Sequence, residues 1–182
     1  MKNDANTTLV NAKSWMINYK KGLPEGVNLM AVCQGKDMTE LITTYQTLVD
    51  LGYTHIAFNH SSIAYQQEYT GMDSLKAAMY GRMEFIRKLV ASGAIRKDVY
   101  HHLLGCSLPQ EFMYYEGYDF LKSVDTSNPI LIGANKETYG DFGSMLTKPK
   151  DKMEKFFEQD MLPSMNFITE NVREFRKIIE KK

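Results

Sequence analysis

Short, nearly continuous apolar runs alternate with longer stretches in which apolar residues recur every three or four positions. Asn28-Leu29-Met30-Ala31-Val32-Cys33 is such a run, bounded by Pro24 and Gly26 before it and Gln34-Gly35 after it, and it predicts a strand buried on both faces. Asp37-x-x-Glu40 then forms a capping box, and Leu41, Ile42, Tyr45, Leu48 and Val49 keep helical spacing until Gly52. The unit repeats. Thr54 to Phe58 reads as a strand, a long polar loop runs through Tyr69-Thr70-Gly71, and Ser74 to Ser92 reads as a helix with Leu75, Met79, Met83, Ile86 and Val90 inward. Val99 to Leu104 gives a third strand, Leu108-Pro109 opens a short helix through Tyr115, and Phe120 to Val124 gives a fourth strand.

Pro129 to Ile132 extends or flanks that fourth strand, and 133–151, rich in glycine, lysine and polar residues, reads as a loop. Two helices close the chain, Lys152 to Gln159 and Ser164 to Lys181, the second with Phe167, Ile168, Val172, Phe175 and Ile179 on one stripe. Before the first strand, Thr8 to Tyr19 places Leu9, Trp15 and Met16 for a packed helix. Four strand-then-helix units predict an α/β fold with a parallel sheet, either open and doubly wound or part of a closed barrel. In both, chemistry gathers where strands end, and those ends carry Gln34-Gly35, Asn59-His60, Gly105-Cys106-Ser107 and Asp125-Thr126.

Composition narrows the function classes. A chain of 182 residues with 43% apolar and 12% aromatic residues can bury a sizeable core, which predicts a single domain. Its 22 basic and 22 acidic side chains cancel, so no overall charge advertises a polyanion. Cys33 and Cys106 are expected as reduced, buried thiols, no apolar run is long enough to cross a bilayer, and a cytoplasmic location follows. No Gly-x-Gly-x-x-Gly follows the first strand, which argues against dinucleotide binding, and no metal-ligand spacing is present. His101 and His102 are adjacent in a strand, point to opposite faces and cannot share a metal.

The strand ends combine a carboxylate, a carboxamide, an imidazole and an asparagine amide, a set suited to a flat heterocycle and an electrophilic sugar carbon. Leu29-Met30-Ala31-Val32-Cys33-Gln34-Gly35, the Gly52 to Phe58 run, Leu103-Leu104-Gly105 and Ser123-Val124-Asp125 occur in the order and at roughly the spacing seen in tRNA-guanine transglycosylases. The chain resembles the second half of that (β/α) barrel of TIM type over about Thr8 to Gly133. In Asp125-Thr126-Ser127-Asn128-Pro129 it is closer to the phage and bacterial relatives that put a 7-deazaguanine into DNA. The resemblance implies a pentosyltransferase in which Asp125 attacks the sugar C1′ and holds it covalently while bases exchange. It implies that Gln34 and Gly35 meet the base edge and that Leu104 and Gly105 pack against the base; Asn59 and His60 stand where the tRNA enzymes carry a Gly-Gly pair and are the divergent part of the same pocket. DNA or tRNA and a 7-deazaguanine such as queuine are then its partners.

The departures set the limits of this comparison. The family's three-cysteine, one-histidine zinc site has no counterpart, so no cofactor is expected. The first half of the barrel, with its acid/base aspartates, has none either, which implies a split enzyme completed by a second chain, a truncation, or a chain that folds alone or as a homodimer. Without the resemblance, Asp125 is an ordinary Asx turn or helix cap, Gln34 caps the following helix, and His60 is a solvated loop residue. The Lys148, Lys150, Lys152 and Lys155 cluster, interleaved with Asp151 and Glu154, reads as a solvated face, and Phe112, Tyr114, Tyr115 and Tyr118 read as packing residues.

Overall fold

The computed structural model describes residues 4–106, 108–140 and 148–180. The chain divides into two compact units, Met1–Leu104 with Asp119–Val124, and Gly105–Tyr118 with Asp125–Lys182.

The first unit is an α/β layer. Its elements are α1 (Ala5–Asn18), β1 (Met30–Cys33), α2 (Met38–Asp50), β2 (His55–Asn59), α3 (Ile63–Gln67), α4 (Ser74–Ala91), β3 (Tyr100–Leu104) and β4 (Leu121–Val124). The four strands are all parallel and lie in chain order, β1-β2-β3-β4, with Ala31 opposite Ile56, Ile56 opposite His101 and His101 opposite Leu121. No strand order reverses, so the sheet is wound in one direction. The helices that follow β1 and β2 share a face: Tyr45 of α2 and Phe85 of α4 both pack on Phe58, and the Cys33 thiol donates to the Leu41 carbonyl in α2.

Burial alternates in β1 and β3, where Ala31, Cys33, His101 and Leu103 are buried and Met30, Val32, Tyr100 and His102 keep solvent exposure on the other face. β2 departs from this: Ile56, Ala57 and Phe58 are all buried, so its second face is covered at Ala57. The expectation that β1 is covered on both faces is corrected here. An apolar run predicts two-sided burial only where a second layer exists, and Met30 is 46% exposed.

The helix signals explain what holds each element. Asp37 accepts the Glu40 N–H and the Glu40 side chain accepts the Lys36 N–H, so the expected capping box closes one residue wider than its usual form. Gly52 and Gly93 end α2 and α4 at φ 84° and 68°. Helix α1 begins earlier than its apolar spacing implies because Asp4 caps it, and it buries Ala5 and Ala12 while Trp15 stays half exposed. The polar stretch after β2 holds a helix, α3, that burial of Ala64 and Tyr65 secures. Gly81 of α4 lets that helix through, since a Cβ there would sit on Tyr65 Cα. Gly81→Ala is expected to cost about 1–3 kcal/mol, read as a lower Tm; an unchanged Tm would show slack at this crossing.

In the second unit, α5 (Asn128–Ala134) packs on α6 (Met165–Ile179), and Gly133 abuts the Ile168 backbone. The apolar stretch at Pro129 is thus helical and not a strand extension: Pro129 suits a first helical turn, and the Thr126 hydroxyl accepts the Asn128 N–H. Asn171, fully buried, accepts the Tyr139 N–H and donates to the Glu137 carbonyl, tying the turn after α5 to α6. The helix expected over Lys152 to Gln159 shortens to one 3-10 turn, Met153–Phe156, whose Phe156 joins Leu131 and Ala134 in a small core. Part of the loop expected over 133–151, residues 141–147, lies outside the described residues, as does Lys181. Among the described residues no helix is long and apolar enough to cross a membrane.

Candidate functional site

Each expected site residue sits at a strand end, where a parallel sheet turns its backbone toward solvent. In the first unit, Gln34 follows β1 and is half-buried beside a groove of about 410 Å³. Gly35 is buried. Its carbonyl accepts the Ser62 hydroxyl at 3.0 Å, and a Cβ on it would come within 2.7 Å of the Leu41 nitrogen. That glycine is required by the close approach of the loop to α2, whatever else it does. Asn59 ends β2 with a buried Oδ1 that has no hydrogen-bond partner among the described residues, an acceptor that costs stability until something donates to it. His60 is half-buried, and Leu104, the last residue of β3, is half-buried too.

One residue that sequence reasoning missed organises two of these ends. Arg82 of α4 is fully buried, and its Nη1 donates to the Phe58 carbonyl at 3.1 Å and the Leu104 carbonyl at 3.2 Å. A single guanidinium therefore fixes the backbone just before Asn59 and at Leu104. The signal was available: Met79, Arg82 and Ile86 share the buried stripe of α4, where a charged residue is out of place unless its charge is matched.

In the second unit, Gly105 takes a left-handed conformation, φ 71°, directly after Leu104 in the chain. Its N–H donates to Asp125 Oδ1 at 3.0 Å. Asp125 follows Val124, the last paired residue of β4, and is exposed. The N-cap of α5 is Ser127, and the Thr126 hydroxyl takes the Asn128 N–H. The Gly105 N–H is one of the groups that orient the Asp125 carboxylate. Ser107 lies outside the described residues.

The histidine pair divides as its spacing implies. His101 is fully buried with Nε2 3.0 Å from the Tyr45 hydroxyl, while His102 bonds Ser123 through Nδ1 at 2.6 Å on the opposite face. Part of the aromatic run serves packing, Phe112 meeting Phe175 edge-on at 5.3 Å and Tyr115 donating to the fully buried Glu111 carboxylate, whereas Tyr114 is 48% exposed. Lys155 pairs with Asp151 at 2.9 Å on an exposed face. Burial pushes the Cys33 thiol far up, which makes it a poor nucleophile; Cys106 is also buried, and neither cysteine forms a disulfide.

No family model, no curated protein and no solved structure matches this chain.

Proposed function

We propose that this chain belongs to a base-exchanging glycosyltransferase of TIM-barrel type that replaces guanine in DNA or tRNA by a 7-deazaguanine, with Asp125 as the nucleophile. The observation that carries the reading is the exposed Asp125 carboxylate immediately after β4, aimed by the Gly105 N–H. An Asp Oδ attacks C1′ of the nucleotide, the bond from C1′ to guanine N9 breaks, and guanine leaves with a proton from a general acid. The incoming base returns that proton from its own N9 and displaces the aspartate, which restores the original configuration in two displacements. Gln34, Gly35, Asn59, His60, Leu104 and Gly105 are assigned to the base by the resemblance, and a second chain is assigned to completing the barrel.

A second reading, a dimerising module without chemistry, is favoured by the edge of β1, which has no strand partner besides β2 among the described residues. Labelled 7-deazaguanine incubated with guanine-containing DNA or tRNA separates the two. The native chain is expected to incorporate label, and Asp125→Ala is expected to fall to background while keeping the native circular dichroism. Equal incorporation by the variant, or none by the native chain, would overturn the assignment.

A further inference from the structure

The 410 Å³ groove has an unusual floor. Leu29, Met30, Ala31 and Val32 all line it. Successive residues of a strand point to opposite faces, so a groove that touches four in a row runs along the strand's edge and not over one face. Its wall is one stripe of α1, Thr8, Asn11, Ala12 and Trp15, spaced three and four apart. β1 is the first strand of the sheet and pairs only with β2 among the described residues, so half of its backbone groups face this groove. Neither charge nor proline guards the edge from Val27 to Cys33, and beside the α1 wall Val27 and Met30 are still about half exposed. The groove has the shape and chemistry of a missing strand.

We propose that the β1 edge is filled by β4 of a second copy of this chain, paired head to tail so that β4 of the first copy fills the β1 edge of the second. Three features select this occupant over others. The sheet is parallel and wound in one direction, with α2 and α4 on one face, so a further strand that continues its geometry runs parallel to β1. The chain itself carries one such strand with a terminal position, β4. Finally, on the face away from α2 and α4, Ala57 is buried but Met30, Val32 and Tyr100 keep solvent exposure. Pairing β1 with its own copy would make a wide sheet and leave that face as it is, whereas two head-to-tail copies bring eight parallel strands together, the number at which a barrel closes over its inner face. This inference bears on the second chain of the proposed function, since a second copy would complete the sheet without supplying the family's first-half aspartates, and it rests on the sheet and not on Asp125. Dimerisation and base incorporation are read separately, so either can fail without the other.

Sedimentation of the full chain over a concentration series is expected to show a dimer. Met30→Lys, at a residue already 46% exposed in the monomer, is expected to keep the native circular dichroism and Tm while weakening association by at least about ten-fold. A short thiol-reactive cross-linker, a bis-maleimide, then distinguishes the pairings. Within one chain β1 and β4 are separated by two strands, about 14 Å from edge to edge at ordinary strand spacing. A Met30→Cys/Lys122→Cys double variant is expected to cross-link into covalent dimers, and neither single variant is. A monomeric native chain, a Met30→Lys variant that still dimerises, or cross-linking by Met30→Cys alone would each overturn the proposal.

Discussion

Arg82→Met is expected to lower the unfolding free energy by about 3 kcal/mol, more than any exposed substitution in this chain. The methionine keeps most of the apolar stem, so the loss falls on the guanidinium. Two opposing effects decide its size. Removing a fully buried charge relieves a desolvation penalty, and replacing a buried ion by an apolar group is sometimes neutral. Here, however, the partners stay behind: the Phe58 and Leu104 carbonyls lose their donor at the ends of β2 and β3, and each unsatisfied buried acceptor costs about 1–3 kcal/mol. The second effect wins because both acceptors are backbone and cannot be removed with the side chain. Arg82→Lys is expected to fall between, since both bonds come from the one nitrogen Nη1, which an ammonium matches in charge and donor number but, on its shorter stem, not in position. Urea unfolding of the three proteins is the measurement, and a methionine variant within 1 kcal/mol of the native chain would show that these carbonyls find other donors.

Arg82 also marks where the sequence stops being legible. The strands were readable because each is a short apolar run closed by a turn residue, and α2 because Asp37, Glu40 and Gly52 punctuate both of its ends. Periodicity placed α4 but rotated its face. Met79 and Ile86 are buried as expected, but Ala77, Ala78 and Gly81 are buried too, while Leu75 and Met83 are only half-buried, because small residues admit α3 more closely than large ones would. α3 and α5 escaped for a different reason. Each is at most seven residues long, below the length at which spacing distinguishes helix from strand, and both are secured by tertiary burial. Of the candidate site, the strand-end positions were legible from topology. The roles inside it were not: Ser127 stands at the N-cap of α5 while the Thr126 hydroxyl takes the Asn128 N–H, and Gly35 answers to the backbone of α2. Such choices between adjacent polar residues depend on angstrom-scale placement that no spacing rule encodes.

Lowering the pH from 7 to 4 is expected to destabilise the fold by about 3 kcal/mol through His101 alone. The imidazole is fully buried between α2 and β4, stacked on Phe58 with its centroid 5.2 Å away and met edge-on by Phe120 at 5.5 Å. The Tyr45 hydroxyl accepts the Arg96 N–H at 2.9 Å, which leaves its own hydrogen for His101 Nε2 and puts the proton of the neutral ring on Nδ1. Burial pushes the folded pKa from 6.5 down to about 4. The carbonyls of Phe120 and Val99 and the Asp98 carboxylate pull the other way, although neither carbonyl closes a well-formed hydrogen bond to Nδ1. Because the folded value lies below the unfolded one, the unfolded chain binds this proton first. Stability is therefore complete above pH 6.5, falls as pH drops through the interval to about 4, and levels off below it as far as this residue is concerned. The carboxylates Asp98 and Glu84, held below their ordinary values by Arg96 and Arg87, begin to contribute only at the lower end of that interval. A His101→Gln variant separates the effects: it should start less stable at pH 7, having lost the stacked ring, yet show little further loss down to pH 5. Unfolding curves that run parallel for the two proteins between pH 6.5 and 5 would remove His101 as the cause.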